Sequence, residues 1–455
     1  MVTVIDAPCG VGKTHYIIEE MNANPDTSYL YIAPLREIFD RLDGKDKYKG
    51  QGTNEVYFTP VNYTTEWNGE TIVSDGTKLS SIKSAMESGT NIKSTHALFL
   101  SFDDECCELA QSRNYHLVID EDLNAVTVLS ESKDNDGDDN AFSEDGVSLS
   151  YGDICFLVNN HAVTIDKNNY GQVIWIDNTA ERHKYEAAKR LIQTGAVSCI
   201  NDSFIVWQFP VKILQSFEDV TILTYRFNYS ILKAYLDFWQ VPYIHRSLER
   251  VGNGHILVPH SPEHDKGWRY KGLIRILRDE KSNAIGKKSP TAKHTPLSWS
   301  WYKSSMDAAK RKTLSDKTYN FFHNTLKVDR DNVMWTTYKK WEDLIRSDYK
   351  YRRTKKLDEH GNPTKEKQTT FVQCGCRATE HHDNCTALAY LINRYLNPGI
   401  TNFLAQRDIT INQDEWALSE MLQWIFRSAV RHDNPIDIYV PSFRMRSLLD
   451  GWLNP

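Results

Sequence analysis

The sequence lacks any apolar run that approaches a membrane span, which takes about 20 consecutive residues, so no membrane partner is expected. It also lacks a basic leader. "MVTVIDAP" passes straight into an alternating apolar strand, and an intracellular, cytoplasmic chain is expected. The 8 cysteines are scattered, with Cys106 and Cys107 adjacent, so a disulfide framework is not indicated and reduced thiols are expected. No repeat of fixed period is visible. A global basic excess is missing as well: 54 Lys+Arg stand against 60 Asp+Glu, a net charge of −6. What remains is an ordinary globular composition, 40% hydrophobic and 25% charged, in 455 residues. That is enough chain for two or three domains with sizeable cores.

The charge is unevenly spread. Residues 261–370 carry 26 Lys+Arg against 14 Asp+Glu, and "ESKDNDGDDNAFSED" (131–145) carries seven acids and one lysine. The acidic run lacks the glycine and closing glutamate of a calcium loop and reads as a surface loop. The basic stretch includes Trp268, Trp299, Trp301, Trp335 and Trp341, with Tyr302, Tyr338, Tyr349 and Tyr351. Two readings are open: a stacking and phosphate-neutralising surface for a single strand, or a core with a solvated skin. "KYRRTKKLDEHGNPTKEKQ" (350–368) reads as an exposed hairpin.

"DAPCGVGKTH" (6–15) fits a phosphate-binding loop, with Ala7 in the first small position, then Gly10, Gly12, Lys13 and Thr14. The glycines allow positive φ, so that successive N–H groups point at phosphate oxygens. Lys13 would reach the β- and γ-phosphates and the Thr14 hydroxyl would ligate Mg²⁺, while Val11 and His15 complete the loop. A strand before it and a helix after it give the anion-favouring context. "HLVIDED" (116–122) is an apolar strand ending in acids. Asp120 is expected to hold Mg²⁺, and Glu121 to orient and deprotonate an attacking water.

Strand and helix signals alternate: "SYLYIAP", "LREIFDRL", "RHKYEAAKRLIQTG", "SFIVWQFP", "DVTILTY", "SILKAYLDFW", "GHILVP". This predicts an α/β fold with parallel sheets. Regular order returns after the basic stretch, through "PIDIYVP" and the closing helix "SFRMRSLLDGWL". In "EMLQWIFRSAVR", a helix is expected to bury Leu418, Leu422, Ile425, Phe426 and Ala429. Gln423, Arg427 and Arg431, four apart, would then share its other face, suited to a γ-phosphate. In "CGCRATEHHDNC" (374–385), Cys374, Cys376, His381 or His382, and Cys385 could ligate zinc, but the Cys-x-Cys spacing is tight. A polar loop in which Arg377 and Thr379 face ATP or a strand reads better.

These motifs resemble a superfamily 2 DEAD/DEAH-box-like helicase, of the kind encoded by bacteriophages and mobile elements. "APCGVGKT" resembles its phosphate loop, "YIAPLREI" and "STHALF" its nucleic-acid motifs, "VIDED" its acidic box and "QWIFRSAVR" its arginine motif. "ILTYRF" (222–227) falls where the motif coupling ATP to nucleic acid is expected. The resemblance implies two tandem RecA-like P-loop domains with a basic, aromatic-rich insertion in the second half. It divides the chain into lobe 1 (1–225), the start of lobe 2 (226–260), the insertion (261–370) and the rest of lobe 2 (371–455). It implies ATP and Mg²⁺ as cofactors and single-stranded DNA as partner, with replication or recombination proteins, in a host cytoplasm if phage-encoded. Pro34, Arg36, Thr95, His96 and Arg377 would touch nucleic acid, and Gln423, Arg427 and Arg431 the γ-phosphate. The acidic box continues as Asp122-Leu123, and Phe426 stands where glycine is usual, leaving the finger open between Arg427 and Arg431. The expected activity is a nucleic-acid-dependent ATPase, a DNA helicase or translocase. A DNA-packaging motor and an ATP-switched binding protein are the alternatives.

Overall fold

The computed structural model describes all residues except 35–37, 45–51, 56, 61–64, 68–69, 73–76, 130–146, 177–184, 253, 358–362 and 376–381. The acidic loop, Arg36, Cys376, Arg377, Thr379 and His381 therefore lie outside the described residues. The chain forms two compact units. Among the described residues, the first comprises those within 1–129 and 147–261 together with Asn397–Ile411; the second comprises those within Pro262–Leu396 and Asn412–Pro455.

The first unit is built on a seven-stranded sheet in the order Gly254–Pro259, Tyr243–Val251, Val2–Asp6, Asp219–Thr224, His116–Asp120, Tyr29–Ala33, Ile92–Thr95. Every neighbouring pair is parallel except the hairpin at the first edge. Parallel strands covered on both faces must be apolar throughout. Tyr29–Ala33 is accordingly buried at all five positions, and Val4, Leu30 and Ile119 are fully covered. The strand Asp219–Thr224 lies between the loop strand and the acidic strand, so their carboxyl ends open on the same edge of the sheet.

A second sheet in this unit has five antiparallel strands: Val126–Val128, Phe204–Gln208, Val197–Ile200, Gln172–Trp175 and Val163–Asp166. "SFIVWQFP" is thus a strand, but outside the parallel sheet. The helix Pro398–Ala405 packs here, and a Cβ on Gly399 would lie 2.7 Å from Val128 Cγ2.

The second unit has a four-stranded parallel sheet in the order Ile274–Ile276, Ile436–Tyr439, Ala387–Tyr390, Val333–Thr336. The chain is therefore mixed α/β with parallel sheets in both units, consistent with two RecA-like domains.

The domain boundaries differ from those read in the sequence. Residues 226–260 belong to the first unit, because Tyr243–Val251 pairs beside Val2–Asp6 and Gly254–Pro259 pairs in turn with Tyr243–Val251 at the sheet edge. Residues 261–370 are no insertion: they supply two of the four strands of the second sheet. Their aromatic residues are mainly its core. Trp335 is buried and its Nε1 donates to Thr370 Oγ1 at 2.9 Å. Tyr302 donates to the Leu391 carbonyl at 2.6 Å, and the Trp299 and Trp341 rings meet edge to face. Trp268, by contrast, is exposed. The expected hairpin forms from Tyr351–Leu357 and Pro363–Thr369.

The C-terminal arginine helix also ends early. Gln413–Ile425 is helical, and Ser428 then turns extended at φ −88°, ψ −174°. The Ser428 hydroxyl donates to the Ile425 carbonyl at 2.6 Å, satisfying one of the helix's open acceptors. Arg427 falls in the turn and Arg431 in the short helix Ala429–His432, so Gln423, Arg427 and Arg431 do not share one helical face. Among the described residues no helix is long and apolar enough to cross a membrane.

Candidate nucleotide site

The site grows from the carboxyl edge of the first sheet. Val2–Asp6 runs into the loop, whose Gly10 and Gly12 take φ +89° and +111°. Such angles are open to glycine and cost other residues strain. The helix Lys13–Ala23 follows with Gly12 as N-cap and no side-chain cap, so its first-turn N–H groups face the loop without a side-chain acceptor. That combination suits a phosphate. Lys13 Nζ donates to the carbonyls of Ala7 and, at 3.2 Å, Pro8.

The acidic strand converges on the same place. Thr14 Oγ1 lies 3.3 Å from Asp120 Oδ2, a hydroxyl beside a carboxylate at the head of a phosphate loop. This pair fits Mg²⁺, which takes oxygen donors. The buried Tyr31 donates its hydroxyl to the same Asp120 oxygen. Burial, then the Asp120 charge, hold the Tyr31 phenol well above its ordinary pKa, so it stays a donor. His96 Nε2 donates to the Asp120 carbonyl at 3.0 Å. Glu121 follows at φ +67°, uncommon for a residue with a side chain, and its N–H donates to the Leu223 carbonyl at 2.9 Å.

The base of the loop is held by a second constellation. Asp6 is buried and accepts the N–H groups of Arg226 and Phe227 at 2.7 and 2.8 Å. His245 Nε2 donates to Asp6 Oδ2 at 3.0 Å. Burial would raise the Asp6 pKa, but the hydrogen bonds from His245 and Phe227 outweigh it and hold the carboxyl below its ordinary value. Above it, His255 Nε2 donates to the Val11 carbonyl at 2.8 Å. A Cβ on Gly12 would stand 2.7 Å from that nitrogen.

The structure thus brings together Lys13, Thr14, His96 and Asp120, with Glu121 next along the chain. His15 pairs instead with Glu19 at 3.2 Å, its ring 6.3 Å from that of His255. Thr95 caps the short helix His96–Phe99, accepting the Leu98 N–H. Pro34 sits just past the strand Tyr29–Ala33. Thr224 and Tyr225 are buried, and the Thr224 carbonyl accepts the Ala7 N–H at 3.1 Å. Gln423, Arg427 and Arg431 lie in the second unit. In that unit Cys385 and His382 both meet the Arg352 guanidinium, at 3.1 and 2.6 Å. Cys374 faces Tyr390 at 3.3 Å. Of the residues read as zinc ligands, Cys385 and His382 thus meet a guanidinium, while Cys376 and His381 lie outside the described residues. Sequence reasoning missed Tyr31, His245, His255 and His260. An aromatic in a buried apolar run gives no signal of a polar role, and three histidines on one hairpin show their purpose only once it pairs beside the loop strand.

Over 461 aligned residues the chain is 32% identical to the SPbeta prophage-derived uncharacterized protein YonV of Bacillus subtilis (strain 168), covering 99% of this chain and 98% of that protein. The chain belongs to the YonV family. Residues 268–453 match the family model described as the YonV C-terminal Rossmann-like domain. That span takes in most of the second unit and starts inside the basic stretch, as its sheet does. Two solved structures are similar at low level. One, titled XPD_Helicase, has a TM-score of 0.48 at 14% identity, covering 100% of this chain and 95% of that one. The other, S. tokodaii Xpd4, has a TM-score of 0.44 at 11% identity, covering 99% and 93%. The fold stands on the sheet orders themselves.

Proposed function

We propose that this YonV-family chain is a nucleic-acid-dependent ATPase, a DNA helicase or translocase acting in phage or mobile-element replication, recombination or repair. One observation carries the reading: the Thr14 hydroxyl stands 3.3 Å from the Asp120 carboxylate, at an uncapped helix start behind two left-handed glycines. A loop built only for a turn does not need that acid. The prophage origin of the curated relative supports the setting.

Lys13 exchanges the Ala7 and Pro8 carbonyls for phosphate oxygens of ATP. Mg²⁺, held by Thr14 and Asp120, supplies charge neutralisation to the phosphates. Glu121 orients the attacking water and accepts its proton. Arg427 or Arg431, with Gln423, is assigned to the γ-phosphate charge. Pro34, Arg36, Thr95, His96 and Arg377 are assigned to the nucleic acid, single-stranded DNA first. The His96 bond to the Asp120 carbonyl gives that strand end a direct link to the magnesium acid.

The test is steady-state ATP hydrolysis, alone and with single-stranded DNA, duplex DNA or RNA, beside Lys13→Ala. Stimulation by one nucleic acid, abolished in the variant, is the expected result. Turnover indifferent to every nucleic acid would overturn the motor reading and favour an ATP-driven switch.

A further inference from the structure

Three side chains at the root of the phosphate loop have the donor set of a metal site that the nucleotide does not use. Asp6, His245 and His260 each offer a ligand atom, and these atoms lie within 4.8 Å of one another. We propose that Asp6, His245 and His260 bind one transition-metal dication of the zinc class, fastening the edge hairpin to the base of the phosphate loop.

The three come from separate pieces of chain that the sheet aligns. Asp6 ends its strand opposite Ser247, two residues after His245, and His260 follows the return strand Gly254–Pro259. The His260 N–H donates to the His245 carbonyl at 3.3 Å, so the two backbones are tied at the site itself. The side chains also lie against one another. The imidazoles of His245 and His260 stack with centroids 3.9 Å apart and planes 11° from parallel. Asp6 is fixed by two backbone N–H groups and is 2% exposed. Ser247 Oγ lies 2.8 Å from His260 Nδ1, the kind of outer partner that sets which ring nitrogen faces a metal. His260 would then ligate through Nε2.

Donor chemistry selects the ion class. Two imidazoles and one carboxylate suit zinc, cobalt or nickel, whereas magnesium and calcium take oxygen. Three protein ligands leave a fourth position for water. Zinc bonds of about 2.0–2.2 Å require the ligand atoms to draw closer than they stand here, by side-chain rotation that opens the His245–His260 stack and turns both in-plane lone pairs onto the ion. In the metal-bound form His245 presents its Nε2 lone pair, its ring proton moving to Nδ1, and its hydrogen bond to Asp6 gives way to metal bonds from both residues. The competing account is a carboxylate–imidazole hydrogen bond with a stacked neighbour and no ion.

The experiment uses the full-length untagged chain, stripped with chelator and titrated with Co²⁺ and then Zn²⁺, without nucleotide. Its outcome is therefore separate from that of the ATPase reading. The expected result is one Co²⁺ per chain with a visible d–d absorption, displaced by Zn²⁺, and a rise in Tm with added Zn²⁺. His245→Gln and His260→Gln, each checked for folding without metal, should lose the absorption and the Tm rise. Ser247→Ala should weaken binding about 10–100-fold. Absence of stoichiometric binding by the unaltered chain overturns the proposal, whatever the variants do. So does a stoichiometric ion that persists in both folded histidine variants.

Discussion

Tyr31 and Thr14 converge on one oxygen of Asp120: the phenol donates to Oδ2, and the threonine hydroxyl stands 3.3 Å from it. Removing the hydroxyl by Tyr31→Phe leaves the carboxylate less constrained at a buried position. Outer partners of metal ligands typically change metal affinity about 10–100-fold. The expected phenotype is a raised Mg²⁺ requirement for ATP turnover, with kcat at saturating Mg²⁺ much less affected. A magnesium titration curve superimposable on that of the unaltered chain would show that Tyr31 only packs.

His255 gives a sharper case, because it leans on the loop at its narrowest residue. Gly12→Ala places a Cβ 2.7 Å from His255 Nε2 and also forces φ +111° on a side chain. The left-handed backbone alone costs about 1–2 kcal/mol. Nucleotide binding, read by fluorescence of a labelled ADP, is expected to fall more than tenfold. Adding His255→Ala to Gly12→Ala should recover only part of it, since space returns but the backbone strain does not. Full recovery would assign the whole defect to the collision.

Much of this was legible before folding, and the illegible part has a physical pattern. The glycine turn, the helix start and the acid beside Thr14 were readable because each depends on residue types set close together in sequence, at Gly10 to Thr14 and at Asp120. The hairpin that carries His245, His255 and His260 was not. Its membership of the first unit depends on pairing with Val2–Asp6, more than 200 residues away, and nothing local in "GHILVP" encodes that partner. Composition could not separate Trp335, which is core, from Trp268, which is exposed. The early stop after Ile425 turns on one serine hydroxyl, which periodicity does not register.

That stop bears on the arginines. On a continuous helix Arg427 and Arg431 would be near-equivalent neighbours one turn apart. With Ser428 extended between them they cannot be interchangeable. One of Arg427→Ala and Arg431→Ala is therefore expected to lower kcat steeply, by about 10³-fold if it meets the transition-state charge, and the other only mildly. Steady-state kinetics on the pair decides it. Equal, modest losses from both would remove each from the chemistry.

Acid should loosen the first unit at a definable point. Asp103 caps the helix Asp104–Ser112 through the Cys106 N–H and accepts from Lys83 Nζ at 2.7 Å. Partial burial pushes its pKa up, but the Lys83 hydrogen bond and the cap outweigh it, so the folded value lies below the unfolded one. A depressed carboxyl stabilises the fold fully above its unfolded pKa, near 4, and loses that contribution as pH falls through the folded value. Asp103→Asn keeps a capping oxygen and removes the charge. The Tm gap between unaltered chain and variant should stay constant from pH 7 to 5 and close progressively below about pH 4. A gap that instead widens in acid would reverse the sign of the Lys83–Asp103 linkage.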